Sequence, residues 1–477
     1  MSPPAPARAD RQPGGEIAIV RELVKRARAA MRAIASADQA RVDEAVTALA
    51  WSIYEPKRAR ALAEMAVKDT GLGNVESKIV KNQRKTFGCL RDLLRVKTRG
   101  IIDEDKAKGI VKYAKPVGVV AAVVPSTNPA ATPVNKAMMA VKGGNAVIIA
   151  PSPSGQATTV RTVELMRDEL AKIGLPVDLV QVLPPPVDKA LTQALMEACD
   201  LVVVTGSQNN VRRAYSSGTP AIGVGAGNVP VIVDSSADLD DAAQKIAASK
   251  IFDNATSCSS ENSVVILADV YNAALKALEG AGGYRASAAE KEKIRSTLWT
   301  DGHLNRRVIA KDAAVFAREA KLAPAAAKAR FFLVEDSDPG PGTPFADEKL
   351  SLVLSVYKAD DLGDAIRQVN AILAVCGKGH SVGIHTQDLG HARRLAAELD
   401  VVRVLVNQAH TFGNGGSFDN GLNFTLSMGC GTWAGNSISE NLNWRHFINV
   451  THLVTVIPED KPSERDLFGA YWDRYGK

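Results

Sequence analysis

Residues 117–124, "VGVVAAVV", form an unbroken apolar run that stops at the turn "PSTNP" (125–129). A run this short, rich in β-branched residues and without polar alternation, reads as a strand buried on both faces. The same grammar recurs in "NAVIIA" (145–150), "LVQVL" (179–183) and "LVVVTG" (201–206). Amphipathic segments "GQATTVRTVELMRDELAKIG" (155–174) and "KALTQALMEA" (189–198) lie between the last three. Strand and helix in alternation predict an α/β chain with a parallel, doubly wound sheet. The alternation resumes beyond residue 258 in "SVVIL", "LSLVLSVY", "DDLGDAIRQVNAI", "HSVGIHT" and "VRVLVN", predicting a second parallel-sheet domain.

Working outward, residues 17–54 carry apolar positions at helical spacing, broken near Ser36, where Ser and Asp can cap a second helix. Residues 16–254 are therefore assigned to one domain and 255–430 to the other. The segment "KTRGIIDEDKAKGIVKYAKP" (97–116) alternates about an acidic turn, as a protruding hairpin does; it is a surface hairpin or an oligomerisation arm. Residues 1–15, rich in proline and lacking an apolar core, read as a disordered lead and neither a secretory signal nor a membrane span.

The chain has 477 residues, 46% of them hydrophobic, and a net charge of +6 from 58 basic and 52 acidic side chains. These charges are dispersed, without the arginine tracts and interleaved aromatics of a nucleic-acid binder. Five scattered cysteines (Cys89, Cys199, Cys258, Cys376, Cys430) predict reduced thiols and a cytoplasmic protein, and no Cys/His spacing suggests a metal.

Three stretches invite a functional reading, and one of them fails it. "GVGAGN" (223–228) imitates part of a dinucleotide fingerprint but leads into the strand-like "VPVIVD", so that mechanism does not apply. In "LVVVTGSQNNVRRAY" (201–215) a strand meets a Gly-Ser turn and a helix start, where free N–H groups and the Ser207 hydroxyl can face a phosphate or ribose. Asn128, between prolines at a strand end, either satisfies its own turn or presents a rigid amide to an oxyanion.

Taken together, "VPSTNPAATP", "YSSGTPAIGVGAGNVPV", "FDNATSCSSENSVV", "FADEKLSLVLSVY" and "CGTWAGNSISENLNWRHFINV" resemble the aldehyde dehydrogenases of the CoA-acylating branch, including the aldehyde half of bifunctional aldehyde–alcohol dehydrogenases. The endings "ENLNWRHFINVTH" and "ERDLFGAYWDRYG" resemble acylating sulfoacetaldehyde dehydrogenases. The resemblance implies two doubly wound domains plus an oligomerisation arm, with residues 431–477 returning to the cofactor domain and ending as an oligomerisation tail. It makes Cys258 the nucleophile, forming a thiohemiacetal and then a thioester, with Asn128 stabilising the oxyanion. It places Glu348 on the nicotinamide ribose and Thr205, Gly206, Ser207 and Ser152 along the cofactor cleft. It lines the substrate pocket with the loop "NQAHTFGNGGSFDN" (407–420), where His410, Thr411 and Asn414 are expected to hold a polar tail. The implied ligands are NAD or NADP, coenzyme A, a small aldehyde and acyl-CoA.

Two departures from the hydrolytic relatives matter. Ala150 stands where they carry the lysine that holds the adenosine ribose, leaving NAD against NADP open. Val224 stands where they carry the glutamate that activates water, which points to a thiol as the acyl acceptor. The alternatives are a hydrolytic aldehyde dehydrogenase releasing free acid, or a scaffold acting through its terminal segments. Cys89 and Cys199 read as buried thiols, Cys430 as support for the cleft, and His380 as structure or a contact to coenzyme or substrate. Arg212 and Arg213 read as solvated helix residues. A homodimer or homotetramer is expected, with the termini as candidates for docking to a larger assembly or microcompartment.

Overall fold

The computed structural model describes residues 15–477. The expected disordered lead lies outside them, except that Gly15 already begins a helix.

Four helices open the described chain: α1 (Gly15–Ala33), α2 (Gln39–Tyr54), α3 (Pro56–Thr70) and α4 (Val75–Leu94). Each boundary has a local cause. Asp38 accepts from Arg41 N and caps α2; Pro56 opens α3, and Gly71 closes it in the left-handed conformation (φ 66°). Asn74 caps α4. The apolar stripes of α1 and α2, including Val20, Leu23, Val46 and Leu49, share one core with the first sheet.

The expected hairpin follows as β1 (Gly100–Asp105) and β2 (Ile110–Pro116), antiparallel. The first sheet then assembles from β3 (Val119–Val123), α5 (Ala131–Lys142), β4 (Ala146–Ala150), α6 (Gln156–Lys172), β5 (Val180–Val182), β6 (Leu201–Thr205) and β7 (Ala221–Val224). Its order is β5-β4-β3-β6-β7, all parallel. Every residue of β3 and β4 is buried, which is why their sequences show no alternation. The chain reverses its direction of growth between β3 and β6, so a ligand crevice opens beyond the carboxyl ends of those two strands. Asn128 follows one and Ser207 the other.

The second sheet has seven strands, β8 (Val229–Val233), β9 (Glu261–Leu267), β10 (Gly283–Arg285), β13 (Phe331–Glu335), β14 (Val353–Ala359), β15 (Val382–His385) and β16 (Val404–Val406). The intervening β11 (Trp299–Thr300) and β12 (His303–Leu304) form a separate ribbon. The sheet order β10-β13-β14-β9-β8-β15-β16 is again wholly parallel. The sequence reading, which kept residues up to 254 with the first domain, is corrected for β8: this strand pairs with β9 and β15, so the chain crosses between sheets at residues 225–228. The glycine-rich segment rejected as a phosphate loop is that crossing.

Finally β17 (Ile448–Val454) pairs with β2 and completes a three-stranded arm, and an exposed helix spans Glu464–Tyr475 behind a Ser463/Asp466 capping box. No helix among the described residues is long and apolar enough to cross a membrane, and none of their His, Cys, Asp and Glu side chains cluster as a metal site.

Candidate active site

The loops that enter β9, β14 and β15 at their amino ends carry Cys258, Glu348 and His380. Asn128 approaches from the carboxyl end of β3. The loop before Cys258 is built under strain: Asp253, Asn254 and Ala255 all have positive φ (51°, 52° and 60°), which costs about 1–3 kcal/mol per non-glycine residue. Buried polar contacts hold it. Asp253 accepts from Lys78 Nζ (3.1 Å), Lys81 Nζ (2.5 Å), Thr256 Oγ1 (2.6 Å) and Asn74 N (3.0 Å), and Asn254 Nδ2 donates to Asp312 (2.8 Å). Lys78 Nζ also donates to Thr127 O at 3.1 Å, so one ammonium joins the cysteine loop to the turn holding Asn128.

Asn128 keeps a donor available for a ligand in its Nδ2. Its Nδ2 makes only a long 3.4 Å contact with Thr127 Oγ1, and its buried Oδ1 has no partner. Cys258 is partly open to solvent. Protein surrounds the sulfur closely enough that burial, then Glu348 and Cys430, pushes the thiol up to about 12; Ser259 and Arg403 oppose this more weakly. Glu348 is pushed up to about 8 by burial and by Asp347, against Lys250 and Lys349. Its carboxylate accepts no hydrogen bond among the described residues, so it can receive hydroxyls from a ligand.

Gly227 lies against the cysteine: a Cβ there would stand 2.2 Å from Cys258 O and 2.9 Å from His380 Nε2. Val224, in β7 opposite Thr205, supplies no proton acceptor and is buried. Glu261 is also buried; its carboxylate takes the His410 N–H at 3.2 Å, and burial pushes it up to about 7.

Gly206 and Ser207 follow β6 at the switch point, and Ser152 follows β4. Gly206 (φ 153°) has nothing within 4 Å of a Cβ position, leaving open space at the switch point. Ser152 Oγ is buried without a partner, and Ser207 caps the helix Gln208–Tyr215 through a long 3.4 Å bond. These features fit a dinucleotide. Thr205 fits less directly, since its hydroxyl already meets Ser427 Oγ at 2.6 Å.

The expected substrate loop is corrected in part. Thr411 lines a cleft together with Asn128, Ser257, Phe252, Phe412 and Leu426. His410 and Asn414 do not line it. Both are buried one layer behind, where His410 Nε2 meets Ser381 Oγ (2.8 Å) and Asn414 Nδ2 donates to Ser259 Oγ (2.9 Å). His380 Nδ1 joins the same chain through Ser381 at 2.7 Å.

The other wall of the cleft was missed. Lys81, Arg84 and Lys85 of α4 line it, at positions i, i+3 and i+4 of one helical face. The signal was present in "KIVKNQRK" (78–85): its basic residues share a face, while Val80, Phe87 and Leu94 point outward at 45–50% exposure.

The aldehyde dehydrogenase family model matches residues 8–283. A "sulfoacetaldehyde dehydrogenase (acylating)" of Cupriavidus necator is 54% identical over 459 residues, covering 96% of this chain and 93% of its own. A protein of the same description from Bilophila wadsworthia is 43% identical, covering 96% of this chain and 99% of its own. The crystal structure of an acetylating aldehyde dehydrogenase from Geobacillus thermoglucosidasius superimposes with a TM-score of 0.89 at 33% identity, covering 94% of this chain and 98% of that one. The chain belongs to the aldehyde dehydrogenase family. Within it, the chain is a member of the CoA-acylating branch.

Proposed function

We propose that the chain oxidises a short aldehyde with an anionic tail, sulfoacetaldehyde being the first candidate, and passes the acyl group to coenzyme A with NAD+ or NADP+ as the hydride acceptor. One observation carries the acyl-transfer reading. Asn128 and Ser257, the residue before Cys258, line one cleft, and the crossing segment 223–228, which lies against Cys258 at Gly227, offers only Val224, small residues and an amide where a water-activating carboxylate is required.

The Cys258 sulfur adds to the aldehyde carbon, and the Asn128 amide and the Cys258 backbone N–H receive the developing oxyanion. A bound nicotinamide would supply the hydride acceptor; in this reading Glu348 holds its ribose and Ser152, Gly206 and Ser207 line the rest of the dinucleotide. The resulting Cys258 thioester is a poor target for unassisted water and a good one for a thiolate. Gly227, by keeping side-chain bulk off Cys258, leaves the nucleophile's loop where the aldehyde and then the thiol can reach it.

The chain acts as a homo-oligomer in this reading. Val454, Val456, Leu467, Phe468 and Tyr471 on the arm and tail are exposed apolar side chains suited to a second copy, which light scattering tests. The activity is tested by assaying reduced cofactor with sulfoacetaldehyde and acetaldehyde, with and without coenzyme A, and identifying the product. Acyl-CoA formation dependent on coenzyme A supports the reading; free acid as the main product refutes it.

A further inference from the structure

We infer that Arg84 is the residue that selects an aldehyde with an anionic tail, receiving that tail in the cleft beside Cys258, with Lys85 as the second positive group. This assignment rests on the acylating reading above. It replaces the sequence expectation that His410 and Asn414 hold the tail, since the bonds of those side chains run to Ser381 and Ser259 instead.

Of the three cations facing the cleft, only one is already neutralised. Lys81 also faces the cleft, but its ammonium is bound to Asp253 at 2.5 Å. Arg84 and Lys85 have no carboxylate within 4 Å among the described residues. The nearest acidic influence on Arg84 is a through-space one from Asp419, weaker than the effect of burial, which lowers the guanidinium's proton affinity. Lys85 donates to Gly415 O (2.8 Å) and Gly416 O (3.4 Å), and burial, with Arg84 and Lys81 adding to it, pushes its ammonium down to about 7. Two adjacent cationic side chains in one partly desolvated cleft repel each other, and an anion between them relieves both costs.

Arg84 is also held ready. Its guanidinium stands 5.1 Å from the Phe418 ring centroid, 5.8 Å from Phe412 and 5.9 Å from Phe424, and Nη2 donates to Ser417 Oγ at 2.8 Å. Its Nε is buried with no partner. A guanidinium fixed by aromatic faces, with an unused donor, is suited to a sulfonate or carboxylate because a planar fork can give two parallel bonds to such an oxyanion. The same cleft is lined by Asn128 and by Ser257, the neighbour of Cys258, so a tail held on these cations belongs to a short aldehyde whose carbonyl is offered to Cys258.

The test compares sulfoacetaldehyde with acetaldehyde, which has no tail, in Arg84→Met and Arg84→Lys enzymes, using coenzyme A and saturating oxidised cofactor. The preference of kcat/KM for sulfoacetaldehyde over acetaldehyde should fall about 10- to 100-fold in Arg84→Met, mainly through KM, as expected for loss of a charge-assisted contact. Arg84→Lys should fall between this and wild type. Ethanesulfonate should inhibit the wild type competitively against sulfoacetaldehyde and lose about as much affinity in Arg84→Met. An unchanged preference, or an equal loss on both aldehydes in a folded variant, overturns the assignment. Failure of the wild type to make acyl-CoA from either aldehyde instead overturns the acylating reading on which it rests. Malonate semialdehyde distinguishes the tails: a similar Arg84 dependence means an oxyanion receptor of general scope, and dependence with sulfoacetaldehyde alone means a sulfonate receptor, both supporting the role of Arg84.

Discussion

Lys78 Nζ lies 3.1 Å from Asp253 Oδ2, and the same ammonium reaches Thr127 O at 3.1 Å. The strained loop leading to Cys258 and the turn carrying Asn128 are thus fastened to one buried side chain on α4. Asp253→Asn leaves Lys78 and Lys81 together without their carboxylate, and a buried pair broken on one side costs about 3–5 kcal/mol. The expected result is a markedly lower midpoint in urea unfolding. Burial alone would raise the Asp253 carboxyl, but Lys81, Lys78 and their hydrogen bonds outweigh it and hold it below the ordinary range. Its stabilisation is therefore complete above about pH 4 and lost as pH falls through the lower folded value, so wild type should show an acid-sensitive stability term that Asp253→Asn lacks.

Asn128→Ala removes one amide donor without touching the cysteine loop. Its turnover should fall by about two to three orders of magnitude with little change in KM, as when a single oxyanion donor is lost. Steady-state kinetics decide this; a change confined to KM would show that Asn128 only binds substrate.

At Gly227 space, not backbone conformation, is limiting. A Cβ 2.2 Å from Cys258 O must displace the nucleophile's loop. Gly227→Ala should remain folded by circular dichroism yet lose most acylation at Cys258, and wild-type turnover would show that the loop tolerates the shift.

The ligand-free thiol should be a slow nucleophile at neutral pH, because burial first, and Glu348 and Cys430 next, push Cys258 up to about 12. Alkylation by iodoacetamide, read as the difference between wild type and Cys258→Ala, should rise about tenfold per pH unit from pH 7 to 10, following the thiolate fraction. A plateau by pH 8 contradicts this electrostatic picture.

Much of the architecture was readable because strands buried on both faces cannot alternate: β3, β4 and β6 announce themselves as apolar runs. The loop carrying Cys258 stood out through its small polar residues, and the family resemblance alone assigned it the nucleophile's role. Strand β8 was assigned to the wrong sheet because apolar content marks a buried strand without naming its neighbours. The α4 wall escaped notice because its amphipathicity is reversed, with Val80 and Phe87 outside and Lys78, Lys81 and Lys85 inside. Only the fold brings Asp253, 172 positions away from Lys81, to neutralise it. Donor-rich positions such as His410 and Asn414 looked like substrate contacts for the opposite reason: sequence does not reveal that the fold buries both and turns Nε2 of His410 to Ser381 and Nδ2 of Asn414 to Ser259.

The central claim is that the acyl group leaves Cys258 for a thiol and not for water. Rapid mixing of enzyme, oxidised cofactor and sulfoacetaldehyde without coenzyme A tests it most directly, with intact-mass analysis of the quenched protein. The account predicts a single burst of at most one reduced cofactor per active site and an acyl adduct on Cys258, absent in Cys258→Ala, followed by renewed turnover when coenzyme A is added. Sustained cofactor reduction without coenzyme A, accumulating free acid and no adduct, would contradict it.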